Sequence, residues 1–187
     1  VANPVWSPDG RMLSYLQIRD RDRLRQKTQL MVRDLSTGTD RLVAEPGSVL
    51  PGSNQLRTVK RGLSWAPDGR SFVFSAVQGD RQQLYLRALD QLTATPMADT
   101  DGAYAPFFSP DGKWIGFWQD GKFMKVLAEG GTPVPICDAA NPFGATWSTD
   151  NTILYGAGPR GIYRVSADGG EAALVIRDPG GEAHGPQ

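Results

Sequence analysis

The 187-residue sequence is poor in the residues that bind metals or form cross-links, with one cysteine, Cys137, and one histidine, His184. A single cysteine excludes an internal disulfide, and one cysteine with one histidine cannot supply the four ligands of a structural zinc site. An excess of charge of one sign is also lacking, because 20 basic side chains balance 20 acidic ones. We therefore expect no nucleic-acid partner and no electrostatic attraction to an anionic membrane.

Long hydrophobic runs are absent as well, so the sequence predicts no membrane insertion by this chain. Turn-forming residues are plentiful instead, with 22 glycines and 14 prolines. That composition favours many short strands joined by turns over long helices. Apolar residues make up 40% of the chain, which is ordinary for a globular protein with a substantial core.

Four segments share the pattern aromatic–Ser–Pro–Asp–Gly, with a few replacements. Proline presets the second position of a type I turn, and aspartate suits the third. The next residue, glycine in three copies and Asn151 in the fourth, takes the left-handed conformation that closes a bulged hairpin. Each copy therefore predicts a hairpin with a capping aspartate and an aromatic residue buried between neighbouring sheets. The residues of this repeated pattern are Trp6, Asp9, Gly10, Trp65, Asp68, Gly69, Phe108, Asp111, Gly112, Trp147 and Asp150.

The segments between these turns predict four strands in each repeat. The third repeat is the clearest, with strands at 103–109, 114–119, 123–128 and 133–137. Its second strand, Trp-Ile-Gly-Phe-Trp, is apolar on both faces, as a sheet requires when neighbours cover both sides. Four strands in about 40 residues is the unit of a β-propeller. We predict an all-β propeller of antiparallel blades, with repeats at approximately residues 1–45, 62–98, 102–138 and 142–177.

The two ends of the sequence lie at nearly the same phase of the repeat. Residues 178–187 resemble the start of a further repeat, since Ala-His-Gly-Pro near the C-terminus matches Ala-Tyr-Ala-Pro in the third repeat. We expect the four repeats to belong to a larger propeller of six to eight blades. The outer faces of the first and last blades would then need further blades or self-association to cover them. The alternative is a closed four-bladed ring.

Two segments interrupt the repeat, and both lie on one face of the predicted propeller. Residues 19–27 lengthen the connection between two strands of the first repeat, and residues 45–61 lengthen the connection to the second. Alternate connections of a meander lie at alternate ends, so both segments fall opposite the Ser-Pro-Asp-Gly turns. Extended loops on one face are the usual binding surface of a repeat protein, although solvated insertions are also tolerated. The candidate contact residues are Arg19, Arg21, Arg23, Arg25, Asn54 and Arg57.

Two short patterns resemble motifs of enzymes but stand in the wrong context. Residues 156–161, Gly-Ala-Gly-Pro-Arg-Gly, match a dinucleotide fingerprint that requires a following helix, whereas the next residues indicate a strand. Ser64 lacks the strand-to-helix turn of a nucleophile elbow, and the only histidine lies in the C-terminal tail. We predict no catalytic residue, no cofactor and no metal in this chain.

The Trp-Ser-Pro-Asp-Gly-Arg turn, the Gly-Gly third turns and third strands such as Leu-Tyr-Leu resemble the WD40-like (PD40) repeats of the TolB family. A narrower resemblance runs from Gly130 to Glu171, where Gly-Gly-Thr-Pro-Val-Pro-Ile-Cys and Tyr-Arg-Val-Ser-Ala-Asp-Gly-Gly-Glu are similar to the propeller that follows the kinase domain of bacterial serine/threonine kinases. Kinase signatures are themselves absent. The resemblance implies a sensory or interaction module located outside the cytoplasm, periplasmic or at the cell surface, with a protein, a peptide or a small ligand as partner.

Three functions remain open at this point. The first is a non-catalytic interaction or sensor propeller within a larger bacterial signalling or envelope protein. The second is the accessory propeller of a prolyl-oligopeptidase-type serine peptidase whose hydrolase domain lies outside this chain. The third, an enzyme or sugar-binding propeller, needs polar residues at the start of the first strands, and Ala2, Ala103 and Phe143 do not supply them.

Overall fold

The computed structural model describes residues 2–19, 27–44, 56–78, 80–91, 93–140 and 142–177. These residues form four antiparallel four-stranded sheets, each with its strands in chain order. Within the described ranges the only helical element is a three-residue 3₁₀ turn, Gly158–Arg160, so nothing there resembles a membrane-spanning helix. The predicted all-β, four-bladed architecture is confirmed.

The blades follow one another along the chain, and the first strands of neighbouring blades contact each other at the centre of the array. The strands are, in blade 1, β1 (Ala2–Trp6), β2 (Met12–Arg19), β3 (Lys27–Asp34) and β4 (Asp40–Ala44); in blade 2, β5 (Leu56–Trp65), β6 (Ser71–Gln78), β7 (Arg81–Ala88) and β8 (Thr95–Pro96); in blade 3, β9 (Tyr104–Phe108), β10 (Trp114–Gln119), β11 (Lys122–Leu127) and β12 (Val134–Asp138); and in blade 4, β13 (Ala145–Trp147), β14 (Thr152–Gly156), β15 (Ile162–Ser166) and β16 (Ala173–Ile176).

The repeated turns have the backbone conformation that the sequence predicts. The residue after the turn aspartate has a φ of 68° at Gly10, 67° at Gly69 and 72° at Gly112. Asn151, which replaces glycine in the fourth copy, has a φ of 63°. Asparagine tolerates this left-handed conformation better than most side chains, so the fourth hairpin closes in the same way.

Three apolar clusters, each between two consecutive blades, form the core. The second strand of blade 3 shows how a blade is covered on both sides. Ile115 and Phe117 face the cluster shared with blade 2, whereas Trp114 and Trp118 pack on the cluster shared with blade 4. The largest fully buried side chains are Tyr85, Phe72, Phe74, Phe117, Phe123, Leu30, Leu84, Ile115 and Ile153.

Gly116 lies in the middle of that strand and carries no side chain for a steric reason. A Cβ atom at this position would lie 2.5 Å from a ring carbon of Phe107. The Phe107 ring therefore occupies the space of the missing side chain and contacts Phe123 and Trp147 edge-on, with ring centroids 5.9 Å and 6.1 Å apart. This contact extends the aromatic core from blade 3 to blade 4.

Two first strands begin at other residues than predicted. β5 begins at Leu56, so the last six residues of the predicted loop 45–61 form a strand. The long partner strand β6 explains this, because it reaches Gln78 and pairs there with Leu56 across two irregularities of register. β13 begins at Ala145, which leaves Phe143 outside the strand.

Candidate functional site

A cavity of about 340 Å³ lies where the inner strands of the four blades approach one another. Its volume is at the lower end of the range of about 300–1,000 Å³ that is typical of ligand sites. The cavity lies towards the starts of the first strands and therefore opposite the Ser-Pro-Asp-Gly turns. All four blades contribute to its wall: Val5, Ser14, Leu16 and Leu30; Gly62 and Leu63; Tyr104 and Ala105; and Pro142, Phe143 and Gly144.

We call this space the channel-mouth cavity. The close approach of two backbones shapes one of its sides. A Cβ on Gly62 would lie 2.8 Å from the Cα of Ala105 and 3.0 Å from Cδ of Pro106. Ala105 itself has a φ of 52°, a left-handed conformation that is uncommon for a residue other than glycine. The register of β9 against β10 shifts at this point, so the strand bends where it enters the wall. The first strands of blades 2 and 3 are thereby held in direct contact.

The wall of the channel-mouth cavity is mainly apolar, and among the described residues that line it none carries a charged side chain. The ring of Tyr104 packs against Trp118 with centroids 4.5 Å apart, which adds an aromatic surface. The Ser14 hydroxyl is already engaged, since it donates to the carbonyl of Val5 at 3.0 Å and accepts from Nε1 of Trp65 at 3.1 Å. Such a cavity suits an apolar group and contains no acid–base pair for catalysis.

Of the six candidate loop residues, the structure describes the backbone of two, and it corrects their expected placement. Both interrupted connections, between β2 and β3 and between β4 and β5, leave the sheets at the end where the first strands begin. Arg19 and Arg57 were expected on loops, yet Arg19 is the last residue of β2 and Arg57 lies within β5. The other four candidates fall outside the described residues: Arg21, Arg23, Arg25 and Asn54.

The turn aspartates are capping residues at the opposite end of the blades. Each accepts a hydrogen bond from the backbone N–H two residues later, at distances of 2.9–3.1 Å. In blades 1 and 3 a serine hydroxyl also donates to the same carboxylate at 2.6 Å, and these bonds lower the pKa of Asp9 and Asp111. Ser148 has the same effect on the pKa of Asp150 in blade 4. Across the described ranges no group of three acidic, His or Cys side chains is placed to hold a metal ion.

The aromatic residue before each turn packs against the preceding blade in three of the four repeats. Trp65 is 5% exposed, and its Nε1 donates to Ser14 of blade 1. Phe108 packs in the cluster shared with blade 2, and Trp147 in the cluster shared with blade 3. Burial is therefore confirmed for these three residues.

Trp6 contradicts the expectation of burial, since 59% of its surface is exposed. The reason follows from the direction in which its three equivalents point. Each of them contacts the blade that comes before it, and no blade precedes Trp6 within the described residues. The burial of the aromatic side chain at this position of the repeat thus depends on the blade that precedes it.

The glycine-rich segment 156–161 forms a connection between two strands, as predicted. It joins β14 to β15 through the 3₁₀ turn Gly158–Arg160, and the amide of Gly161 donates to the carbonyl of Gly158 at 3.0 Å. A dinucleotide fingerprint places its glycines before a helix that faces the pyrophosphate. That arrangement is not found here, because β15 follows directly.

Ser64 has a structural partner instead of a catalytic one. Its Oγ accepts a hydrogen bond from the backbone amide of Phe108 at 3.3 Å, which connects the first strands of blades 2 and 3. His184, the only histidine, lies outside the described residues. The hydroxyl of Ser64 is therefore part of the contact between blades.

A second cavity, of about 440 Å³, lies between blades 3 and 4 and contains the single cysteine. Burial raises the pKa of the Cys137 thiol, and the neighbouring Asp138 carboxylate adds to this effect. Burial also raises the pKa of Tyr155, which contacts that thiol, to about 12. Both groups are protonated at neutral pH, and a buried neutral thiol is a poor nucleophile.

Sequence reasoning missed the residues that build the channel-mouth cavity. The sequence predicts Tyr104 and Phe143 only as residues of first strands, and Gly62 only as the start of the second repeat. No local motif distinguishes them, because the cavity arises only where four separate repeats meet. Phe143 lines this cavity and is 71% exposed, which its sequence context did not indicate.

No protein-family model matches the chain. Among solved structures it is similar to TolB from Acinetobacter baumannii, with a TM-score of 0.70 and 20% identity over 94% of this chain and 43% of that chain. It is also similar to a chain of a nidogen–laminin complex, with a TM-score of 0.64 and 10% identity over 90% of this chain and 62% of that one. The propeller domain of the trilobed protease from Pyrococcus furiosus matches with a TM-score of 0.62 and 11% identity, over 94% and 56% of the two chains.

The chain thus spans between 43% and 62% of the length of these similar chains. At such low identities the similarity establishes the fold and leaves the activity open. The four described blades and these neighbours together show that the chain has a β-propeller fold.

Proposed function

We propose that this chain is a non-catalytic interaction module whose channel-mouth cavity receives an apolar side chain of a peptide or protein partner. The observation that carries the proposal is the composition of the described wall, to which all four blades contribute mainly apolar residues and no charged one. Desolvating an apolar side chain in such a site is favourable at about 25 cal/mol per Å² of buried surface.

The proposal extends to the two long connections that follow β2 and β4 of blade 1. Both leave the sheets at the same end as the cavity, and five of the residues from Arg19 to Lys27 are basic. We assign Arg19, Arg21, Arg23, Arg25, Asn54 and Arg57 to the rim of the binding face, where polar residues give specificity around an apolar centre. The expected partner is a segment with an apolar anchor and acidic or polar flanks.

We infer the parent protein and the cellular location of the module from the sequence resemblance to TolB and to propellers attached to bacterial kinases. On that basis the module belongs to a larger signalling or envelope protein and works outside the cytoplasm. A protein partner also agrees with the similarity to a chain of a nidogen–laminin complex.

Selection from a random peptide display library tests the proposal. Peptides that bind the immobilised chain should be enriched in aromatic or large aliphatic residues. Phe143→Asp places a carboxylate at the cavity without disturbing a buried contact, because Phe143 is 71% exposed, and should weaken binding at least about tenfold. Val175→Asp is the matched control, since Val175 is an exposed apolar residue of β16 that does not line the cavity. Selected peptides that bind the Phe143→Asp variant as tightly as the parent would contradict the assignment.

A second candidate function is the accessory propeller of a prolyl-oligopeptidase-type peptidase. The similarity to the propeller of the trilobed protease favours it. The two functions predict different neighbouring domains in the natural reading frame. A kinase or envelope-protein context supports the interaction module, whereas an adjacent serine hydrolase domain supports the peptidase.

A further inference from the structure

Arg87 is an arginine buried between blades 1 and 2 without a hydrogen-bonding partner. It is 6% exposed, and its Nε has no partner in the structure. Tyr85, Arg87 and Leu89 alternate along β7 and its end, and both Tyr85 and Leu89 pack in the cluster shared with blade 1. The guanidinium group of Arg87 is therefore directed towards blade 1.

A second guanidinium group reaches the same place from blade 1. Nη1 of Arg41, on β4, donates to the carbonyl of Leu89 at 2.9 Å, which brings it to the end of the strand that carries Arg87. The positive charge of Arg41 and the burial of Arg87 both disfavour the charged form of Arg87, with burial the larger effect. None of the ion pairs among the described residues includes either arginine.

A cavity of about 250 Å³ opens beside Arg41 and Leu89. The hydroxyl-bearing residues Thr37 and Thr39 lie in its wall, together with Asp34. The Asp34 carboxylate is engaged locally, because its Oδ1 accepts hydrogen bonds from the amide and hydroxyl of Ser36 and the amide of Thr37. The space next to Arg41 thus holds hydroxyl groups and a carboxylate that is already bonded, and Arg87 lies outside its wall, two residues before Leu89.

We propose that Arg87 and Arg41 form a binding site for a small oxyanion, of the carboxylate or phosphate type, at the contact between blades 1 and 2. A buried guanidinium group without a counter-charge is costly, and the cost increases when a second cation lies beside it. An oxyanion between the two groups removes both penalties, because the planar fork of arginine matches the paired oxygens of carboxylates and phosphates. The site lies near the Ser-Pro-Asp-Gly turns, away from the channel mouth, and is independent of the function proposed above.

Thermal unfolding of the full chain in chloride buffer, with sodium phosphate or sodium acetate added at constant ionic strength, tests the site. We expect a saturable rise of the unfolding temperature, since an anion bound only to the folded state stabilises it by mass action. The rise should disappear in Arg87→Met and Arg41→Met and persist in Arg164→Met, which removes an exposed arginine of blade 4. The anion that produces saturation identifies the type of group that the site prefers.

The stability of Arg87→Met in chloride alone gives a second readout. Replacing an unpaired buried charge by an apolar side chain of similar size is neutral or stabilising, so this variant should unfold at the same temperature as the parent or higher. A lower unfolding temperature would mean that the protein already supplies a counter-charge, and it would overturn the proposal. A rise that does not saturate, or that also occurs in Arg87→Met, is a general salt effect and would overturn it as well.

Discussion

At the scale of single residues, a serine hydroxyl is the largest cause of the lowered pKa of the turn aspartates in blades 1, 3 and 4. Ser109 donates to the Asp111 carboxylate at 2.6 Å, and its Oγ accepts the amide of Trp114 at 2.9 Å. Ser7 makes the same two bonds in blade 1, with Asp9 and with the amide of Met12. The serine therefore joins the carboxylate to the start of the second strand. In blade 2 alanine stands at this position, and the connection is missing.

We expect the substitution Ser109→Ala to raise the pKa of Asp111 towards its usual value of 3.8. The Ser109 hydroxyl is the largest cause of the lowered pKa, followed by the backbone amide of Lys113. Titration of the side-chain carboxyl carbons by NMR measures this, with Asp9 as the internal control. An unchanged pKa of Asp111 in the variant would contradict the role of the serine.

The lowered pKa of Asp111 predicts how the stability of the fold depends on pH. A carboxylate whose pKa is lower in the folded state stabilises the fold above its unfolded pKa, and that contribution disappears as the pH falls through the folded pKa. The parent should therefore lose more stability than Ser109→Ala between about pH 4 and the folded pKa of Asp111.

At the scale of the blade, the aromatic residue at the end of the first strand works as a connector between sheets. Trp65 contacts blade 1 through its ring, and its Nε1 donates to the carbonyl of Val5 and to the hydroxyl of Ser14. Its ring also lies 5.4 Å from that of Phe72 in its own blade. The residue thereby couples the folding of consecutive repeats, as expected for proteins built from stacked units.

Truncation to alanine should lower the unfolding free energy far more at Trp65 than at Trp6, although both residues occupy the same position of the repeat. Loss of the buried Trp65 side chain should cost about 3–5 kcal/mol of unfolding free energy. Trp6→Ala removes a side chain that is 59% exposed and should change stability by about 0.5 kcal/mol or less. Urea unfolding of the two variants measures both values. Similar losses at the two positions would show that Trp6 is also buried in solution.

At the scale of the whole molecule, the first and last described blades each carry exposed large apolar side chains. Trp6 is exposed on blade 1, and Leu174, Val175 and Ile176 are 39%, 51% and 55% exposed on blade 4. Inside the array, faces of this kind cover each other at every junction between blades. We therefore expect a neighbouring blade or a second copy of the chain to cover these exposed side chains.

We expect the isolated chain to self-associate or to bind a dye for exposed apolar surface, because contiguous apolar patches of several hundred Å² are rarely left in water. Sedimentation velocity and dye fluorescence measure the two effects. Trp6→Lys and Ile176→Lys should reduce both, and Leu35→Lys serves as the control because Leu35 is an exposed apolar residue of a turn. A compact, dye-silent monomer would show that four blades close on themselves.

The sequence by itself determined the turns, the four blades and the order of their strands, because these depend on interactions between residues close in the chain. The left-handed conformation of Gly112 and the hydrogen bonds of Asp111 are complete within one turn, so five residues are enough to predict them. The two-sided burial of β10 is likewise visible in its run of apolar residues.

Only the tertiary structure decided the channel-mouth cavity, the exposure of Trp6 and the unpaired charge of Arg87. Each depends on which residue of another repeat lies opposite, tens of positions away in the chain. Gly62 meets Ala105, and Arg41 reaches Leu89, only because neighbouring blades are packed at a particular rotation. Near-identical repeats conceal such differences, since the same local pattern places Trp65 in a core and Trp6 in solvent according to whether a blade precedes it.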